Sequence, residues 1–236
     1  MDNSTYSTLT RQTGLMREMQ AVANNIANMS TTGFRQEGLI FAEHIAALDG
    51  QPSLSMASAT ARETNQLQGS LKQTNGTFDF AIEGDGFFLL DTPNGERLTR
   101  AGSFMVSPEG ELVNPDGNRV LDAGGAPIFI PPNAEQLGVG ADGTISLDGQ
   151  PLGQLGLYSP EDPASMQRQD GVMFETTDNL VPATGAILQG FVEASNVNPV
   201  LEISRMIEIQ RAYEMGQGFL DKEDERIRNA MQTLTR

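Results

Sequence analysis

A stripe of mostly apolar side chains runs along the first 30 residues, with its members alternately three and four positions apart. The stripe comprises Leu9, Gln12, Met16, Met19, Ala23 and Ile26. This heptad-type spacing predicts an α-helix with one narrow adhesive face. The sequence Ser30-Thr31-Thr32-Gly33 ends the pattern, and Gly33 can take the left-handed conformation that commonly terminates a helix.

The same alternation returns after Asn198 and continues to the end of the chain. Asn198 is a good N-cap, and Pro199 suits the first helical position, where its missing N–H costs nothing. One heptad position is entirely apolar and comprises Met206, Tyr213, Leu220, Ile227 and Leu234; the other is polar in its middle and comprises Ile203, Gln210, Gln217, Asp224 and Met231. A helix of about 35 residues with such a face needs a partner, since packing supplies most helical stability. We expect the N-terminal helix of the same chain or of a neighbouring subunit to be that partner.

Two glycines and several charges add detail to this C-terminal helix. Gly216 and Gly218 each cost about 1 kcal/mol relative to alanine inside a helix. They either permit close approach of a neighbouring helix or bend this one, and the pattern leaves both readings open. Oppositely charged residues spaced three or four apart, such as Asp224 and Arg228, can also pair along the helix.

The middle of the chain has a different pattern, in which short β-prone runs alternate with turns. Residues 76–190 hold 18 of the 25 glycines and 10 of the 12 prolines. The turn dipeptides are Asn94-Gly95, Glu109-Gly110, Asp116-Gly117, Asp142-Gly143 and Asp148-Gly149, and the predicted strands cover residues 78–82, 87–90, 104–106, 128–130, 144–147 and 154–158. Regular turns between short strands predict an antiparallel β domain.

Together these patterns predict an α+β fold, in which long N- and C-terminal helices pair as a coiled-coil-like stem beside a central antiparallel β domain. We expect four segments: an N-terminal helix over residues 1–33, an extended linking arm over 34–75, the β domain over 76–190, and a C-terminal helix over 191–236. The arm is rich in Ala, Ser, Thr and Gln. A short helix over residues 40–48 is an alternative within it.

Four blocks of the sequence resemble signatures of the flagellar axial family of rod and hook proteins. They are Val22-Ala23-Asn24-Asn25-Ile26-Ala27-Asn28 with Thr31-Thr32-Gly33-Phe34-Arg35; Ile82-Glu83-Gly84-Asp85-Gly86-Phe87-Phe88; Arg100-Ala101-Gly102-Ser103-Phe104; and Gly190-Phe191-Val192-Glu193-Ala194-Ser195-Asn196-Val197-Asn198 with Ile209-Gln210-Arg211-Ala212-Tyr213. The blocks occur in family order and span nearly the whole chain. The C-terminal block looks most like that of the proximal rod protein that precedes the distal rod. A distal rod or hook subunit is the alternative within the family.

The resemblance implies a structural subunit of the bacterial flagellar basal-body rod, which assembles with itself and with other rod subunits into a hollow shaft across the periplasm. It also implies export through the flagellar type III apparatus without a cleaved signal peptide. The helical ends would then form the assembly interface. The predicted interface residues are Leu9, Met16, Met19, Ala23, Asn24, Asn25, Ile26, Asn28, Ile203, Met206, Gln210, Tyr213, Gln217, Leu220, Ile227, Met231 and Leu234. A structural motif of the β domain would comprise Gly84, Gly86, Phe87, Phe88, Gly102 and Phe104.

Composition argues against most other classes of function. The net charge of −16, without any basic run, argues against binding a nucleic-acid backbone. No window approaches the roughly 20 apolar residues of a membrane helix. The chain has no cysteine, and His44 is its single histidine. Thiolate sites are therefore excluded, and any His-dependent catalysis would have to use His44.

We accordingly expect no catalytic residue, no cofactor and no metal ion. Gly84-Asp85-Gly86 lacks the third glycine and the following helix of a dinucleotide fingerprint, so a tight turn into a strand explains it better. The 31 carboxylates leave a glycosidase-type pair open. The second hypothesis is therefore a secreted β-rich binding module or a peptidoglycan-active enzyme whose helices serve only for oligomerisation.

Overall fold

A computed structural model describes residues 3–46, 54–131, 137–169 and 171–234. Within these ranges the side chains of residues 3–7, 41–46, 54–61 and 234 are outside the description. The chain forms two compact units. The terminal unit comprises Met1–Met29, Gln36–Asn65 and Val197–Arg236, and the central unit comprises Ser30–Arg35 and Gln66–Asn196. The linking arm predicted over residues 34–75 is therefore divided between the two units.

The terminal unit contains two long helices and a hairpin. Helix α1 covers Asn3–Ala27, helix α2 covers Pro199–Leu234, and the hairpin consists of β1 (Glu37–Ala46) and β2 (Leu54–Thr64). Glu37 pairs with Thr64 and Ala46 with Leu54, with a shift in register between Ile40 and Phe41. The alternative of a short helix over residues 40–48 is wrong as far as Ala46, because extended backbone pairing with β2 replaces it there. Residues 47 and 48 lie outside the described residues.

Helix α2 begins directly after the predicted cap, Asn198, and not at residue 191, where the predicted C-terminal segment starts; Phe191–Glu193 form a strand instead. The Oδ1 of Asn198 accepts hydrogen bonds from the N–H groups of Val200 and Leu201 at 3.1 and 3.3 Å. Pro199 is the first helical residue. These two bonds satisfy donors that the first helical turn cannot pair internally.

The N-cap gives a testable expectation. We expect Asn198→Ala to lower the free energy of unfolding by about 1 kcal/mol, because two N–H groups lose their acceptor. Asn198→Asp retains the acceptor and should cost far less. Urea unfolding followed by circular dichroism measures both variants, and equal losses would contradict the capping role.

The central unit is an antiparallel β structure. Its strands are β3 (Leu71–Gln73), β4 (Phe80–Glu83), β5 (Phe87–Thr92), β6 (Gly95–Thr99), β7 (Met105–Val106), β8 (Leu112–Val113), β9 (Arg119–Val120), β10 (Leu137–Val139), β11 (Thr144–Leu147), β12 (Gln150–Gln154), β13 (Leu157–Pro160), β14 (Gln167–Arg168), β15 (Met173–Glu175), β16 (Leu180–Pro182), β17 (Ala186–Gln189) and β18 (Phe191–Glu193). The largest sheet has the order β14-β15-β6-β5-β9-β8-β7, with β13 pairing both β5 and β16. Smaller sheets are β10-β11-β12, β17-β4 and β18-β3.

Strand β5 lies between two buried clusters. Phe88 and Leu90 belong to the larger cluster, and Phe87 and Leu89 belong to the smaller one. Alternate residues of a strand face opposite sides of the sheet, so a strand covered on both sides reads as a continuous apolar run. Phe104 joins the larger cluster and stacks edge-on against Phe88, with ring centroids 5.3 Å apart.

The turn predictions hold, but two strand predictions do not. The strand predicted over residues 154–158 is divided, because β12 ends at Gln154 and β13 begins at Leu157. The glycine of each of the five predicted turn dipeptides has a positive φ, as does Gly33 at the exit of α1. Residues 128–130 form no strand; Phe129 makes only an isolated bridge to Glu111. Ile128 and Ile130 are nevertheless buried in the larger cluster, so their apolar character reports core packing rather than a sheet ladder.

Candidate assembly interface

The two long helices of the terminal unit pack against each other in antiparallel orientation. The Nε2 of Gln12 donates to the carbonyl of Tyr213 at 2.9 Å. Further along α1, Glu18 accepts two bonds from Arg205, at 3.0 and 2.8 Å. Arg205 therefore binds across to α1, and it contributes to helix pairing rather than to the surface of α2 alone.

The face of α2 that meets α1 overlaps only half of the predicted stripe. Its buried and half-buried members, at alternating spacings of four and three, are Glu202, Met206, Ile209, Tyr213, Gly216, Leu220 and Glu223. Met206, Tyr213 and Leu220 thus lie on the inner face as the pattern predicts. The second predicted set, represented by Ile203, Gln210 and Gln217, is exposed.

Helix α1 shows the same division. Gln12 is buried, and Met19 and Ile26 are half-buried. The other half of the stripe points outward: Leu9 is 47% exposed and Met16 is 55% exposed. Ala23 is exposed as well. Each helix therefore uses one side of its stripe within the chain and leaves the other side on the surface.

Further apolar side chains lie on the exposed part of α2. They are Val200, Leu201, Ile207, Met215, Phe219, Ile227 and Met231. The side chain of Leu234, predicted to continue this set, lies outside the described residues. Soluble proteins seldom leave such a series exposed along one element unless it marks a contact with another molecule.

The two helical glycines turn out to differ. A Cβ at Gly216 would lie 2.3 Å from the Nε2 of Gln12, so this glycine makes room for the Gln12 side chain of α1. A Cβ at Gly218 would have no neighbour within 4 Å. The contact with Gln12 therefore explains Gly216, whereas no contact explains Gly218.

This difference predicts opposite responses to alanine. We expect Gly218→Ala to raise the free energy of unfolding by up to about 1 kcal/mol, because alanine is the better helix former. Gly216→Ala has the same gain in propensity but must displace the amide of Gln12 and weaken its bond to Tyr213. The free energy of unfolding of Gly216→Ala should therefore be roughly 1 to 3 kcal/mol lower than that of Gly218→Ala. Urea unfolding of both variants tests this order, and equal stabilities would contradict it.

Asn25, predicted to lie at the assembly interface, is buried inside the terminal unit. Its Nδ2 donates to the carbonyl of Glu37 at 2.9 Å and to a carboxylate oxygen of Glu202 at 3.0 Å. Its Oδ1 accepts from the N–H of Glu37 at 2.9 Å. Gln36 donates to the other oxygen of Glu202 at 2.7 Å. This network joins the end of α1, the start of β1 and the first turn of α2, which gives Asn25 an intramolecular role.

The neighbouring asparagines have a local role. Asn28 donates to the carbonyl of Asn24 at 2.9 Å and to its side-chain oxygen at 3.0 Å. The Nδ2 of Asn24 also lies 3.4 Å from a carboxylate oxygen of Glu37. These bonds supply partners for the polar groups at the C-terminal end of α1.

The central unit contains a buried cluster of three charges. Glu193 lies 3.1 Å from Arg35 through one carboxylate oxygen and 3.1 Å from Arg100 through the other. All three side chains are at most 4% exposed. Burial lowers the pKa of both arginines, and the charge of Glu193 acts in the opposite direction. Arg100 also donates to the carbonyl of Gly84 at 2.7 Å, and Glu193 accepts from the N–H of Gly69 at 3.0 Å.

This triad connects the sequence blocks quoted above. Arg35, Arg100 and Glu193 come from three different blocks, and Gly84 comes from the fourth. The N–H of Gly33 also donates to the carbonyl of Glu193 at 2.8 Å. Sequence reasoning missed this cluster and Glu202, although a signal was present: each is a charged residue within a largely apolar or helix-starting block.

The structural motif predicted for the β domain also lies in the central unit. Gly84 and Gly86 have positive φ, and Phe87 and Phe88 follow them into β5. A Cβ at Gly102 would lie 1.7 Å from the carbonyl oxygen of Phe80. With Phe104, which is also buried, the motif therefore combines a tight turn, three buried rings and one backbone approach that only glycine permits.

One groove of the central unit has a volume of 530 Å³, and among its lining residues only Asp116 carries a carboxylate. Glycoside hydrolysis ordinarily requires two carboxylates.

In the described part of the chain, no three His, Asp or Glu residues are grouped so that they could hold a metal ion. The side chain of His44 lies outside the described residues. Neither described helix is long and apolar enough to cross a membrane.

Three family models match the chain in the segments that carry these features. "Flagella basal body rod protein" matches residues 7–35, "Flagellar hook protein FlgE/F/G D1 domain" matches residues 81–147, and "Flagellar basal body rod FlgEFG protein C-terminal" matches residues 188–233. Arg35, Arg100 and Glu193 each fall within a different matched segment.

Whole-chain relatives agree with these models. The flagellar basal-body rod protein FlgF of Caulobacter vibrioides is 41% identical and covers 99% of this chain and 98% of its own length. FlgF of Mesorhizobium japonicum is 41% identical over 91% of this chain and 90% of its own. FlgG of Bacillus subtilis is 30% identical over 95% of this chain and 96% of its own. With both helical ends and the β domain matched in order, the chain belongs to the flagellar basal-body rod protein family.

Proposed function

We propose that this chain is a structural axial subunit of the bacterial flagellar basal-body rod, which assembles with itself and with other rod subunits. Family membership supports the placement in the basal body. The observation that carries the assembly role is the apolar surface left on α1 and α2 after they pair with each other. Leu9, Met16 and Ile203 are each about half exposed, at 47%, 55% and 49%.

We further propose that the helix pair acts as a coiled-coil-like stem. The alternation of four and three along Glu202, Met206, Ile209, Tyr213, Gly216 and Leu220 supports this, since it is the spacing of a heptad seam. Contacts that repeat from subunit to subunit without closing generate helical filaments. The assembled stems would form a hollow, torque-transmitting shaft that spans the periplasm, and the chain would reach it unfolded through the flagellar type III export apparatus without a cleaved signal.

Deletion of the gene, followed by electron microscopy of basal bodies, tests the proposal. We expect incomplete rods and loss of motility, both restored by the intact gene. A tagged copy should be found within the rod. Complete rods without this chain would contradict the proposal.

A pair of matched variants separates assembly from folding. Ile203→Asp places a charge on the exposed face of α2 and should abolish motility. The free energy of unfolding in urea should stay within about 0.5 kcal/mol of that of the parent chain. Leu152→Asp changes a residue of similar exposure, 41%, on β12 and should leave motility intact. Equal effects of the two would argue against an assembly role for the α2 face.

The enzyme alternative makes a different forecast. A peptidoglycan-active enzyme should lose function when a groove carboxylate is changed. We expect Asp116→Asn to leave motility unchanged, because the groove offers one carboxylate where glycan hydrolysis ordinarily uses two. Loss of motility in this variant, with complete rods still visible, would favour the enzyme.

A further inference from the structure

Helix α2 is longer than the helix it packs against. Helix α1 has 25 residues and α2 has 36. From the contact between Gln12 and Gly216, α1 continues nine residues to Asn3 while α2 continues eighteen to Leu234. At 1.5 Å per residue, α2 therefore extends about 14 Å beyond the described end of α1. We call residues 226–234 the C-terminal overhang; its residues 226–233 are all exposed.

The overhang continues the apolar side of α2. Ile227 lies seven residues after Leu220, so it continues the row of Met206, Tyr213 and Leu220, which lie seven apart on the inner face of the helix pair; Ala230 follows three residues later. Ile227 is 44% exposed. A helix segment with one apolar side is marginal in water unless that side is packed. The apolar side of α2 therefore continues past the point at which α1 ends.

A groove on the same unit has complementary chemistry. It has a volume of 240 Å³ and is lined by Thr8, Arg11, Gln12, Leu15, Ala212, Met215, Gly216 and Phe219. We call it the helix groove. Its rim residues Met215 and Phe219 are 70% and 45% exposed. The Oε1 of Gln12 is buried and has no hydrogen-bond partner among the described atoms. A buried acceptor without a donor costs free energy, which a docked chain could recover by supplying an N–H or O–H.

We propose that the C-terminal overhang of one copy of this chain packs into the helix groove of a second copy. The groove is continuous with the α1–α2 seam, and the overhang extends the apolar side of α2 that forms this seam. Because groove and overhang are different surfaces, the contact is heterologous and repeats from copy to copy. This inference rests on the proposed rod function and identifies the partner surface.

Disulfide cross-linking tests this contact, since the chain has no cysteine of its own. Phe219→Cys and Ile227→Cys are combined in one chain. Eight residues separate them on one helix, about 12 Å, which is too far for a disulfide within the chain. Basal bodies are isolated from cells that express only this double variant, and mild oxidation is followed by non-reducing electrophoresis.

We expect a ladder of cross-linked oligomers of this chain, at least about tenfold more intense than in the control. The control combines Leu152→Cys with Ile227→Cys. Ile227→Cys alone can yield at most symmetric dimers. Rods that contain the double variant without a ladder above the control would overturn the docking proposal alone. That result would also follow if the overhang met a different rod subunit.

Absence of the parent chain from isolated rods would instead overturn the proposed function and the docking with it. If the two cysteines themselves prevented entry into rods, Met215→Cys with Ile227→Cys provides a second pair across the same contact. The same ladder is required of that pair, and its absence from rods that contain it overturns the docking.

Discussion

Replacement of Glu193 by glutamine is expected to lower the free energy of unfolding by about 3 to 5 kcal/mol, because it removes the carboxylate that contacts two buried guanidinium groups. Arg35 and Arg100 each lie 3.1 Å from Glu193, and neither can escape its charge by deprotonation at ordinary pH. The Nε atoms of both arginines already lack a hydrogen-bond partner among the described atoms. The variant would leave two buried cations in the central unit without the carboxylate that contacts both.

Asp91→Asn provides the matched control in the same unit. Asp91 pairs with Arg119, and the two side chains are 34% and 45% exposed. Solvent screens such a pair, so its loss should cost at most about 1 kcal/mol. Urea unfolding followed by circular dichroism measures both variants. A loss for Glu193→Gln no greater than that of Asp91→Asn would show that the triad does not stabilise the fold as we propose.

Gly102→Ala is expected to lower the free energy of unfolding by about 3 kcal/mol or more, which is the upper end of the range for overpacking substitutions. The added Cβ would meet the carbonyl oxygen of Phe80 at 1.7 Å, and the carbonyl carbon at 2.8 Å. Backbone atoms cannot rotate away as a side chain can, so the pairing of Phe80 and Gly102 would have to separate. That separation breaks the hydrogen bond from the N–H of Phe80 to the carbonyl of Gly102, which is 2.8 Å long.

Gly153→Ala is the control for this substitution. Gly153 lies in β12, and a Cβ there would have no neighbour within 4 Å. We expect its free energy of unfolding to stay within about 0.5 kcal/mol of the parent chain. Thermal unfolding of both variants gives the comparison. A Gly102→Ala variant as stable as Gly153→Ala would mean that the backbone can relax at this site.

Both sites show the limits of reading a sequence locally. Gly102 and Glu193 lie within blocks that resemble family signatures, yet neither the blocks nor their spacing reveals why these residue types are needed. The reason lies in partners far along the chain: Glu193 meets Arg35 and Arg100, and Gly102 meets Phe80. Such contacts depend on which segments the fold brings together, and local propensity carries no information about that.

Local patterns did predict the features that depend only on near neighbours in the chain. Asn198 caps α2 because its side chain reaches N–H groups two and three residues ahead. Gly95 and the other turn glycines take positive φ because a tight hairpin requires it. The strand over residues 144–147 was predicted with its observed bounds. The helix alternative over residues 40–48 is wrong as far as Ala46 because it depends on a distant partner: pairing with β2 overrides helical propensity there.

The sequence by itself determined that both ends are helices with apolar sides and that a turn-rich antiparallel β structure lies between them. Periodicity is a property of the chain alone, so it was sufficient for that. Only the tertiary structure decided which side of each helix is used within the chain. The true seam of α2 passes through Glu202 and Gly216, which no apolar pattern would select. Glu202 is buried because Asn25 and Gln36 satisfy its oxygens, and Gly216 is needed because Gln12 packs directly against it.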